Sequence, residues 1–217
     1  MPAIPVYLEV GSKRIFASAL DWPGWTRAGK TETAALEELA AYAARYAAVP
    51  KAARITFSDA EPAFKVVERV RGNATTDFGA PGIQASGDIK PLTAAEAERI
   101  CALLNASWKL FDAVAAKAPQ ELRKGPRGGG RDRDKIADHI VDAESAYVTK
   151  LGLKLKTPRR DDSGAVKAWR KAILDEIQES AGKPQSREKR WPPRYAARRI
   201  AWHLLDHAWE IEDRSVT

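Results

Sequence analysis

The chain has three histidines, and their spacing is the part of the sequence most able to do chemistry. His203 and His207 lie in a segment whose apolar positions, Ile200, Leu204, Ala208 and Ile211, recur at helical spacing. They take the i+3 and i+7 positions of that stripe, so a helix here turns both imidazoles inward. His139 sits at i+3 of a second stripe, formed by Ile136, Ile140, Ala143, Tyr147 and Leu151. Two interior imidazoles one turn apart, facing a third from another helix, have the geometry of a metal ion held between helices. A histidine on a core face is more often a hydrogen-bonded packing residue. Three of them among Leu, Ile and Ala need three polar partners, however, and one shared cation supplies all three.

The same spacing excludes a zincin protease. That motif needs Glu directly after the first His, and here the run is His203-Leu204-Leu205-Asp206-His207. Three neutral imidazoles leave a divalent ion with open positions for water or substrate, unlike a closed structural site. Zn and Ni lead the expected metals, with Fe, Mn and Co also compatible with such a donor set. Asp142, Asp206 and Glu210 are the acidic residues placed to orient the imidazoles; Asp142 and Asp206 read equally as surface charge, Glu210 less so. No protein nucleophile is assigned. Cys101, beside the apolar stripe of an earlier helix, reads as a small buried hydrophobe rather than a thiolate. Ser107 lies on that stripe and either touches the site or bonds its own helix.

The elements that must position these residues fall into two groups, residues 1–86 and 87–217. In the first, Val6, Leu8 and Val10 alternate with polar or aromatic positions, Gly11-Ser12-Lys13 turns the chain, and Ile15–Leu20 continues as a second strand. Asp21-Trp22-Pro23-Gly24 breaks that strand. Thr31 caps a helix carrying Leu36, Leu39, Ala40, Ala43 and Ala47 on one face and stopped by Pro50. Arg54–Phe57 and Phe64–Val70 are further strand candidates, and the turn-rich Gly72–Gly87 marks the domain boundary. Trp22 and Trp25, on a Pro-Gly loop, either pack against the rest of the chain or anchor an interface.

The second group reads as four amphipathic helices. Thr93-Ala94-Ala95-Glu96 is a capping box, followed by Ile100, Leu103, Leu104, Ser107, Trp108, Phe111 and Val114. Later helices span about 134–151, 164–180 and 194–213, the last opened by Pro192-Pro193. Four such helices imply a bundle. The stretch 152–163 is long enough to cross from one end of that bundle to the other.

Composition bounds the function. Apolar residues at 44% and charged residues at 30% are globular values and exclude a disordered chain. No stretch reaches the roughly 20 apolar residues of a membrane span. A single cysteine excludes an internal disulfide. With no basic and apolar leader at Met1–Val6, a cytoplasmic location is expected. The net charge of +7 is uneven: Arg123–Lys135 and Arg187–Arg199 each hold six basic residues, against two and one acidic. Such patches attract anionic small molecules or nucleic acid, or are solvated loops. The Gly/Arg run of the first lacks the repetition and aromatic residues of an RNA-binding segment, which disfavours nucleic acid.

Two segments resemble known families. Asp138-His139-Ile140-Val141-Asp142-Ala143-Glu144-Ser145-Ala146-Tyr147 and Trp202-His203-Leu204-Leu205-Asp206-His207-Ala208-Trp209-Glu210 resemble the DinB/YfiT-like metalloenzyme superfamily over roughly residues 90–215. The resemblance implies a four-helix bundle in which His139, His203 and His207 bind a divalent metal. It further implies a thiol-dependent S-transferase or isomerase acting with a low-molecular-weight thiol, an activity many members have not been shown to possess. Residues 20–31, leading into an acidic helix, resemble the HicB-like ββαβ fold. No DNA-binding ribbon or helix-turn-helix follows, so an antitoxin role does not carry over, and dimerisation or shielding of the site is what the first domain is left to do. The expectation is therefore a HicB-like α+β domain followed by an all-α DinB-like bundle. Its metal would activate a thiol or water toward an anionic small molecule. The competing expectations are an RNA-associated or antitoxin-like module with the bundle as scaffold, and a catalytically idle metal protein.

Overall fold

Alternating apolar residues and a Gly-Ser-Lys turn pair β1 (Ile4–Val10) antiparallel with β2 (Ile15–Ala19), with Val6 opposite Ala19 and Val10 opposite Ile15. The computed structural model describes residues 3–125, 129–186, 188 and 190–215. The centre of the first basic patch (126–128) and positions 187 and 189 of the second lie outside the described residues.

Asp21–Gly24 does break β2, but the chain turns straight back. A third strand, β3 (Thr26–Gly29), pairs antiparallel with β2, so the expected ββαβ order gains a strand before its helix. Four residues that include Arg27 are too few to display alternation, which is why the sequence hides it. Gly24, at φ 93°, makes the tight return possible. The helix after Thr31 forms with its cap in place but in three pieces, α1 (Glu32–Ala41), α2 (Ala43–Tyr46) and α3 (Ala48–Ala52). Pro50 does not stop it. It occupies the first turn of α3, where a backbone N–H has no intrahelical partner to lose. Arg54–Phe57 is not a strand. The chain next enters the sheet at β4 (Phe64–Arg71), parallel to β1, giving the order β3-β2-β1-β4. The turn-rich stretch that follows carries a capped helix, α4 (Ala74–Phe78), and is tied to the sheet by buried Glu9. That carboxylate accepts from the Gly82 and Ile83 backbone N–H groups at 2.9 and 3.0 Å and from the Thr76 hydroxyl.

The C-terminal region is all helical. It comprises α5 (Ala94–Lys117) with its Thr93/Glu96 capping box, α6 (Arg133–Leu151), α7 (Ser163–Glu179) and α8 (Pro193–Ser215). Contacts between ends set their directions. Arg194, opening α8, pairs with Glu96, opening α5, at 2.9 Å, so these two helices run parallel. The Trp191 N–H donates to the Lys150 carbonyl at 2.7 Å, so α6 runs opposite to α8. Arg170 of α7 reaches Asp112 of α5 while Cys101 meets Leu174, so α7 opposes α5. The segment between α6 and α7 therefore crosses the length of the bundle. Thr157 against Ser145 (2.6 Å) and Arg160 against Asp138 (2.8 Å) pin it along α6. This crossover places the described residues of the two basic loops at opposite ends, with Arg123 beside the C-terminus of α8, where its N–H donates to the Arg214 carbonyl.

Helix α8 is shared by both regions and is buried on almost every side. Ile200, Leu204, Ala208 and Ile211 face the bundle core. Leu205 and Trp209 join the core of the sheet and α1, with Val6, Leu8, Trp25 and Leu39. Trp25 is fully buried, stacks on Tyr46 at 5.3 Å and donates to the Leu39 carbonyl at 2.8 Å, and Trp22 meets Phe57 and the Arg99 guanidinium. The tryptophan loop is thus packing between the two regions. Among the described residues no helix is long and apolar enough to cross a membrane.

Candidate metal centre

The stripes of α6 and α8 bring His139, His203 and His207 together as their spacing requires. One ring nitrogen from each lies within 4.8 Å of the other two. The Nε2 atoms of His139 and His203 are 3.2 Å apart. A tetrahedral ion with bonds of about 2.05 Å would separate two ligand nitrogens by about 3.3 Å, so this edge of the triangle already has the spacing one ion demands. The rings stand edge to face, with centroids 4.7–5.2 Å apart. The cluster is able to hold a divalent ion.

Burial favours the neutral form of His139 and His203, as metal ligation requires. His203 is 6% exposed, and desolvation, aided by the neighbouring His207, Arg199 and His139, pushes its pKa down to about 2. His139 is lowered by the same desolvation and by Arg131, with Asp142 and Glu210 opposing. The Nδ1 of His203 is enclosed without a hydrogen-bond partner among the described residues.

Of the three acidic candidates, the structure brings one to the cluster. Glu210 lies 2.7 Å from His207 Nδ1 and also accepts from Arg214 at 2.6 Å; the His207 contact first, then Arg214, holds its carboxyl below the usual range. An Nδ1–H donating to this carboxylate leaves Nε2 of a neutral His207 as the nitrogen that offers a lone pair. Asp206 turns away to pair with Arg27 of β3 at 2.9 Å and ties the sheet to α8. Asp142 is exposed and reaches His139 through its charge alone. Ser107 donates to the Leu103 carbonyl of its own helix at 2.9 Å. Cys101 is buried, and burial pushes its thiol up to about 12, so it offers no thiolate.

Three residues near the bundle interior have contacts that the sequence pattern does not assign. Tyr147 lies edge-on to His203 at 5.8 Å and packs against Trp191 at 5.3 Å. Arg199 is buried against Tyr147 and Trp202. Glu144, 1% exposed, accepts from Trp108 Nε1 at 2.6 Å, and burial raises its pKa to about 7. Signals existed for two of them. Glu144 falls at i+4 of Ile140, and Arg199 at i−4 of His203, both positions that a helix points inward.

Comparison with family models, with curated proteins and with solved structures finds no match for this chain. Any functional reading therefore rests on the site itself.

Proposed function

We propose that this protein is a metal-dependent enzyme of DinB-like type, binding one divalent ion on His139, His203 and His207 and acting on a thiol or water. The observation that carries the reading is the convergence of three imidazoles within the bundle, one pair of them at ion-bridging distance. Three protein ligands leave coordination positions open. A divalent ion bound there supplies Lewis acidity, which lowers the pKa of a thiol or water enough to form the nucleophile near neutral pH.

The chain's own residues then have separable tasks. His139 and His203 present lone pairs because burial keeps protons off them. Glu210 fixes the tautomer and orientation of His207, and Arg214 fixes Glu210. Tyr147, Trp191 and Trp202 wall the His203 side and exclude water from it. Arg131, on the loop at this end of the bundle, adds positive charge felt at His139 and His203 and favours an anionic reactant. The absence of an ionised cysteine suits chemistry in which the nucleophile is brought in rather than supplied by the protein. The sheet region, docked on α8 beside the cluster, shields it or mediates dimerisation in the HicB-like reading.

The test is a transfer assay with protein loaded in turn with Zn, Ni, Fe, Mn or Co. Small thiols and water are offered as nucleophiles against an activated aryl halide and an ester. Turnover with at least one ion, lost on chelation and in His207→Ala, supports the proposal. No turnover with any ion, or turnover unaffected by chelation, refutes it.

A further inference from the structure

Arg199 stands one helical turn before His203 on α8, so the two side chains leave the helix on the same face. It is 9% exposed, yet it has no hydrogen-bond acceptor or carboxylate partner among the described residues, and its Nη1 is fully enclosed. The adjacent buried Arg198 differs in having a carboxylate partner: its Nη2 meets the equally buried Asp88 at 2.7 Å, although its Nε is also without a partner among the described residues. Arg199 has only rings, lying 5.2 Å from the centroid of Tyr147 and 4.6 Å from that of Trp202. Those two rings are the ones against His203, at 5.8 and 6.0 Å.

Ring contacts return less than the desolvation of a cation costs, so packing alone does not account for an arginine here. A small, partly open cavity of about 10 Å³ lies beside it, among Ser18, Thr26, Tyr195 and Arg198. That space suits a single water, which answers one N–H but not a charge. The charge around the histidines is unbalanced in the same direction. Arg131 and Arg199 face Asp142 and Glu210, and Glu210 is already engaged by His207 and Arg214. A divalent ion on neutral imidazoles adds to the excess.

We propose that Arg199 is the anchor for a carboxylate on the substrate, so that the site takes a small thiol bearing a carboxylate group. The guanidinium fork, packed against Tyr147 and Trp202, has the geometry to meet a carboxylate through two parallel N–H bonds. The thiol end would then lie toward the three histidines, one helical turn along α8. The place of the thiol rests on the metal reading above; the place of the carboxylate on Arg199 does not.

Two titrations test this. In the first, Co(II)-loaded protein is titrated with 3-mercaptopropionate and with 2-mercaptoethanol, following the sulfur-to-metal charge-transfer absorption. Wild type should prefer the carboxylate-bearing thiol by at least about tenfold, as a charge-assisted pair provides. Arg199→Gln should lose that preference while keeping its affinity for 2-mercaptoethanol, and Arg199→Lys should restore part of it. In the second, metal-free protein is titrated with propionate, following tryptophan fluorescence. Saturable quenching is expected in wild type and not in Arg199→Gln. If cobalt does not bind, the metal reading fails and the second titration alone decides the carboxylate anchor. Equal affinity for the two thiols in wild type overturns the proposal, as does a preference that survives in Arg199→Gln. Absence of propionate binding to the metal-free protein also overturns it. Should Arg199→Gln fail to fold, the wild-type comparison and Arg199→Lys distinguish the same outcomes.

Discussion

Glu144→Gln should make the folded protein more stable at pH 8 and leave it nearly unchanged at pH 4.5. Glu144 sits inside the bundle with Trp108 Nε1 donating to it at 2.6 Å. Burial raises its pKa from an ordinary 4.5 to about 7, with the Trp108 bond and the charge of Arg170 acting in the opposite direction. A carboxyl that binds its proton more tightly when folded contributes stability that is fully present below 4.5. That contribution is lost as the pH rises through 7. Each pKa unit between the folded and unfolded states is worth about 1.4 kcal/mol, so ionising Glu144 in place removes about 3 kcal/mol by pH 8. Glutamine keeps the acceptor for Trp108 and never ionises, so the variant escapes that loss. The assay is urea denaturation of both chains at pH 4.5, 6, 7 and 8 in chelator, comparing midpoints at equal m values. Taking the difference between the chains cancels every other titrating group. The variant's advantage should rise from near zero to about 3 kcal/mol across that range. A difference that stays flat with pH, or a variant less stable than wild type at pH 8, would show Glu144 to be a stabilised carboxylate and refute the reasoning.

Other consequences are as direct. Glu210→Gln removes the carboxylate that orients His207 and should weaken metal affinity by about 10- to 100-fold in competition with a chromophoric chelator; unchanged affinity would contradict the role. Gly24→Ala places a Cβ 2.5 Å from Leu205 Cδ1 and 3.2 Å from the Ala201 backbone, at φ 93°. It should cost about 2–3 kcal/mol in urea denaturation through strain and overpacking, and a neutral effect would mean that the tryptophan loop does not bear on α8 as described. Cys101, its thiol pushed up to about 12 by burial, should resist Ellman's reagent in native protein and react fully in denaturant. Rapid native labelling would contradict that burial.

The bundle and its histidines were legible because both obey one rule, helical periodicity. Thr93 and Glu96 announce α5, and the offsets of His139, His203 and His207 from their apolar stripes place them inward in the structure as in the pattern. What depended on distant partners was not legible. Asp206 is closer in sequence to His207 than Glu210 is, yet it pairs with Arg27, brought in by β3, while Glu210 reaches the imidazole. β3 itself is too short for its period to show, and Arg54–Phe57, though β-prone, follows three linked helical turns that leave it outside the sheet. Tyr147 was placed on an inward stripe as packing, and its contact with His203 needed the α6–α8 pairing. Arg199 and Glu144 occupy inward positions too, but charged residues there read as surface until the neighbouring helices bury them.

The central claim is that three histidines hold one ion, and elemental analysis of the untagged protein tests it most directly, beside His139→Ala, His203→Ala and His207→Ala. About one divalent ion per chain in wild type, lost in each variant, is the predicted result. No ion after incubation with Zn, Ni, Fe, Mn and Co, or full retention in His203→Ala, would contradict it and make the cluster a packing feature.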